Sequence, residues 1–123
     1  MTATADHQTL RVLPGSHVLE RAIDPAEAIS GTDVLAVLLG PDGCTVMRRD
    51  DTGDDGWTAM WNGDAAHPVD ATGMLSAIVS PLAAGGLPVW VASAYDGDLV
   101  FVPTDRADEA CDVLETAGHH VLR

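Results

Sequence analysis

Lysine is absent from this chain, and its six cationic side chains are all arginine, set against 19 Asp and Glu in 123 residues. The formal charge of -13 makes a field that repels phosphate backbones and anionic lipid headgroups, which argues against nucleic-acid and membrane-surface partners. Aromatics are just as sparse, 4% of the chain with one Tyr and one Phe, so the core has to be built from Val, Leu, Ala and Ile. The two cysteines, Cys44 and Cys111, fit no metal or redox spacing and read as reduced, buried thiols. No apolar run approaches the ~20 residues that span a bilayer, and the opening MTATADHQ carries neither the basic nor the apolar region of a secretory leader. The expectation is a soluble cytoplasmic protein.

Catalytic and metal signatures are missing as well. There is no G-x-S-x-G, no P-loop and no G-x-G-x-x-G, so no catalytic residue, cofactor or enzyme activity is assigned. Asp96 and Asp98 are two apart, but hairpin turns are commonly rich in Asp. The acidic stretch over residues 50–56 departs from a calcium loop, with Gly53 at a ligand position and Asn62 where the closing Glu belongs. It reads as a solvated turn. None of the five histidines has a partner at metal-ligand spacing; His67 and His119 read as surface residues.

What is present is 46% hydrophobic residues, sufficient for one compact domain or two small units sharing a core. Residues 1–8 are polar and read as frayed. Short strands are expected over residues 10–13 and 17–22, with Asp24 capping a helical turn that starts at Pro25. The uninterrupted run VLAVLL (34–39) reads as a strand buried on both faces. Gly40-Pro41-Asp42-Gly43 turns it into a hairpin. From Trp57 the pattern is strand, helix, strand, strand, helix, strand. The first of these helices carries Met74, Leu75, Ile78, Val79 and Leu82 on one face, with Pro81 expected to kink or loosen its last turn and Gly85-Gly86 to end it. Thr104-Asp105 is expected to cap the second, with Ala107, Ala110, Cys111, Leu114 and Ala117 inward. This is the order of the ferredoxin-like split βαβ unit. Residues 1–56 look like a reduced version of it, with the two sheets side by side or paired with another chain.

The loop Asp70-Ala71-Thr72-Gly73-Met74-Leu75 enters the first of these helices. A Gly at a helix mouth lets a carboxylate approach the free first-turn amides. The alternative is that Asp70 or Thr72 caps the helix and Gly73 only permits close packing. Residue chemistry leaves both open.

The Asp-x-x-Gly-x-Leu pattern of Asp70, Gly73 and Leu75, followed by the run GMLSAIVSPLAAGGLPVWVASAYDGDLVFVP, resembles the small stand-alone two-ACT-domain proteins of bacteria and archaea. The arginine-sensing CASTOR proteins are distant relatives of that group. The opening TLRVLPG is also similar to theirs, so the resemblance covers nearly the whole chain. It implies an α+β fold of tandem ferredoxin-like (βαββαβ) ACT units, the N-terminal one reduced (1–56) and the second complete (57–123). The sheets would be antiparallel with helices on one face. It further implies a non-enzymatic regulatory protein, a homodimer, with an amino acid bound at the seam between ACT units. Carried over by position, Thr72, Gly73, Met74 and Leu75 would offer backbone amides to a ligand carboxylate. Ser93, Ala94, Tyr95 and Asp96 would line the other wall, with Asp96 available for an ammonium. Two positions depart from the signature, Ala94 and Gly97 standing where Thr is usual; the first removes a hydroxyl and the second is expected to loosen the turn. A structural or protein-interaction module with a vestigial site is the alternative.

Overall fold

The computed structural model describes residues 4–68 and 70–123. Its elements run β1 (Thr9–Val12), β2 (His17–Ala22), α1 (Pro25–Ser30), β3 (Val34–Gly40), β4 (Gly43–Arg49), β5 (Trp57–Trp61), α2 (Met74–Ala84), β6 (Trp90–Ser93), β7 (Asp98–Pro103), α3 (Ala107–Thr116) and β8 (His120–Leu122). A 3-10 turn, Thr104–Arg106, leads into α3.

These form one eight-stranded sheet, in the order β3-β4-β2-β5-β1-β8, with β7 on β5 and β6 on β7. The side-by-side antiparallel sheets expected from the sequence are therefore corrected to one mixed sheet. The reason lies in β1, which pairs antiparallel with β5 through Arg11 and Val12. It also runs parallel to β8, pairing Leu10 with Val121. The first strand thus stands between β5 and the last strand, β8. After a break at Pro14-Gly15, β2 takes over the β5 edge, His17 opposite Trp57, and turns to β4.

Two apolar clusters occupy the two faces. Helices α2 and α3 cover one, where Leu10, Met60, Ile78, Leu82, Val100, Val102 and Leu114 are all 0% exposed. The other holds Met47, Ala59, Leu99 and Phe101, with Leu19 of β2 and Leu35 and Ala36 of β3 packed against them. It joins the two halves. Alternation along β7 explains why one strand serves both: Leu99 and Phe101 face one way, Val100 and Val102 the other.

Several local expectations change. Strand β3 is not buried on both faces, for it is the terminal strand, and Leu38 and Leu39 are 60% and 67% exposed. Among the described residues no side chain caps α3; the chain enters it through the 3-10 turn, and Thr104 Oγ1 instead bonds Ser16 and Thr58. Ala117, past the end of α3, is exposed. Residues 1–3 of the opening segment lie outside the described residues, but Gln8 is 1% exposed and anchored, not frayed.

Candidate functional site

Gly73 begins the site by its backbone. With φ 78° it sits in the left-handed region that suits glycine, and it forms the N-cap of α2 without any side-chain cap. Neither Asp70 nor Thr72 caps the helix, so among the described residues no side chain takes the first-turn amides. Among the described residues, a Cβ on Gly73 would meet only Ala5, at 3.8 Å. Here conformation, not crowding, requires glycine.

The opposite wall is the β6–β7 hairpin. Ser93 pairs with Asp98, Ser93 Oγ donates to Asp98 Oδ1 over 2.7 Å, and the Ala94 amide donates to the Gly97 carbonyl over 2.8 Å. Gly97 does not loosen this turn. It is buried against Gly63, where an added Cβ would lie 2.5 Å from the Gly63 Cα. Two glycines let the hairpin tip rest on the backbone that follows β5, an approach that a Thr at 97 would block.

Between the walls is an open cleft of about 340 Å³, lined by Gly73, Met74, Leu75 and Ser76 on one side and by Ser93, Ala94, Tyr95 and Asp98 on the other. His67, Pro68 and Ala71 also line it. This volume is at the small end of ligand sites and suits a small metabolite. The structure thus brings together six of the eight positions singled out in the sequence. Thr72 is not in the lining. Asp96 lies on the far side of Tyr95, in a neighbouring depression with Trp61, Asp64 and His67. Asp98, read as turn chemistry alone, lines the cleft because it faces Ser93 across the ladder; that register was the available signal. His67 is half-buried at the rim, and nothing in its local sequence marked it. Beside the depression, Arg11 grips Asp64 at 2.8 and 3.1 Å, and its guanidinium holds the Asp64 carboxyl below the usual carboxylate range.

Helix α2 is held in place by groups that look misplaced in the sequence. Pro81 has no N–H, so the carbonyl of Ala77, four residues earlier, loses its helical donor. His119 supplies the replacement through Nε2–H, at 2.8 Å. The imidazole is therefore in one tautomer, with Nδ1 free to accept the Gln8 amide at 3.1 Å. His119 is 5% exposed; the surface placement expected for it is corrected by this bond, and the helix continues through Pro81 without breaking.

A split βαβ arrangement with a small open cleft at a helix mouth defines a small α+β domain of the ferredoxin-like kind. The family model described as ACT domain matches residues 52–116, and the chain belongs to the ACT domain family. Among solved structures, a protein of Agobacterium tumefaciens is similar over 94% of this chain and 92% of its own, with 26% identity and a TM-score of 0.79. A Vibrio cholerae protein of unknown function, described as a possible transport protein, shares the fold at 18% identity and a TM-score of 0.70, over 85% of each chain. None of the curated proteins matches this chain.

Proposed function

We propose that this protein is a non-enzymatic sensor of a small ligand, an amino acid, held in the cleft at the mouth of α2. ACT domains generally bind small-molecule ligands in regulation. The observation that carries the reading is the uncapped first turn of α2 facing Ser93, Tyr95 and Asp98 across about 340 Å³. The amides of Met74, Leu75 and Ser76 would take the α-carboxylate, and Asp98, more directly than Asp96, would take the ammonium. Regulation would be a population shift, in which the ligand favours one arrangement of two ACT units and a partner reads it. In this reading residues 1–56 are the reduced unit of a two-ACT chain. Since the described lining comes from the second unit, the other side of the seam would be supplied by a second copy. The charge-free edge strand β3, with Leu38 and Leu39 exposed, and the exposed Trp90 on β6 support self-association.

A thermal-shift screen over the twenty proteinogenic amino acids tests this. One or a few should stabilise the protein, because a ligand at a hundredfold its Kd adds about 2.7 kcal/mol. Gly73→Val, strained at positive φ, should abolish the shift. A flat screen at millimolar ligand would remove the sensor reading and leave the interaction module.

A further inference from the structure

We propose that Gln8 and Asn62, two buried amides outside the cleft, are the positioning residues that fix the distance between its walls; the inference rests on that cleft being the ligand site. Gln8 Nε2 donates to the carbonyl of Met74 over 2.7 Å and to that of Ala5 over 2.9 Å. Gln8 Oε1 accepts from Asn62 Nδ2 over 2.9 Å. Asn62 Oδ1 in turn accepts the Asp98 amide over 2.6 Å, and Asn62 Nδ2 reaches Asp98 Oδ2 at 3.3 Å. An unbroken chain of hydrogen bonds therefore runs from the first turn of α2 to the hairpin, and on through Asp98 to Ser93.

Three properties make this a spacer and not a loose polar contact. Both side chains are 1% exposed, so water does not compete with the bonds. Each amide uses both of its N–H groups and its oxygen, so neither can flip without setting like groups against each other. Gln8 itself cannot drift, because its N–H is held by His119 and its carbonyl accepts from the His120 amide over 2.8 Å. Gln8, which anchors one wall, immediately precedes β1, a strand from the other half of the chain. A change in how β1 sits in the sheet would thus reach the cleft directly.

The test measures the gap itself, in ligand-free protein. Nitroxide labels are placed at Ser80→Cys on the outer side of α2 and Asp96→Cys on the hairpin tip, with the buried Cys44 and Cys111 left in place, and the distance distribution is read by pulsed electron resonance. Asn62→Leu and Gln8→Met should each broaden the distribution and shift it longer. Thr58→Val, which breaks a part-buried hydroxyl bond at the other end of β5, should leave it narrow. A distribution unchanged in both amide variants, or widened equally by Thr58→Val, would overturn the proposal. The twenty L-amino acids serve as probes in the second arm. Any that stabilises the parent protein should lose its shift, by about tenfold or more in apparent affinity, in Asn62→Leu but not in Thr58→Val. Retention of the shift in Asn62→Leu also overturns it. A flat parent screen together with a widened gap upholds the spacer and fails only the sensor reading.

Discussion

The imidazole of His17 stands edge-on to Phe101, 6.1 Å between ring centroids, and its Nδ1–H donates to the Trp57 carbonyl over 3.2 Å. Burial holds its pKa below the ordinary histidine value, helped by Arg49, while the Trp57 bond and Asp51 pull the other way. In the pH range between that lowered value and about 6.5, the unfolded chain binds a proton that the native one refuses, so stability falls as pH falls through it. One such group sets a slope of at most about 1.4 kcal/mol per pH unit. His17→Gln should be less stable at pH 8 yet flatter between pH 8 and 5, measured by urea unfolding; an equal slope in both proteins would show that His17 is not its source. A separate loss lies at lower pH. Asp50, Asp51, Asp64 and Glu109 have pKa values lowered by their hydrogen bonds, so their contributions vanish only as they protonate, below about pH 4.

At the level of elements, most of what is local could be read from the sequence. Asp24 and Pro25 start α1 as their chemistry requires, with the Asp24 carboxylate accepting the Ala26 amide at 3.0 Å. The spacing of Met74, Ile78 and Leu82 marks the buried face of α2. What was not legible depends on partners distant in the chain. An apolar run such as 34–39 looks the same whether a strand is central or terminal, since periodicity does not report what lies beyond its edge. His119 gave no sign of burial because its reason is a carbonyl freed 42 residues away. That pairing makes a quantitative prediction. His119→Ala strands two groups, the part-buried Ala77 carbonyl and the buried Gln8 amide, and should cost about 3 kcal/mol. In a Pro81→Ala background the new N–H at 81 satisfies Ala77, so the same substitution should cost about 1–2 kcal/mol less. Equal costs in a double-mutant cycle by chemical denaturation would mean that His119 does not compensate for the proline.

At the scale of the whole molecule, the lining of the candidate cleft was legible where it coincides with a signature and illegible where it depends on register. Gly73 to Leu75 and Ser93 to Tyr95 line one cleft, whereas Asp98 enters through its pairing with Ser93, and Gln8 and Asn62 through contacts 66 and 36 residues long. The insertion of β1 is the same kind of feature. Strand order is a long-range property, and nothing in TLRV distinguishes a strand that pairs with its own half from one that crosses to the other. Its consequence is measurable. A fragment of residues 57–123 would lack Leu10, a fully buried member of the helix-covered core, and would leave β5 and β8 without the strand between them. Losing a buried leucine alone costs about 2–5 kcal/mol, comparable to the whole stability of a domain this small. The fragment should therefore show no cooperative thermal transition by circular dichroism, and a peptide spanning residues 4–16 should restore one at high concentration. A sharp transition in the fragment alone would mean instead that β8 closes directly onto β5, completing a βαββαβ sheet without β1, and that residues 57–123 are a self-sufficient ACT unit.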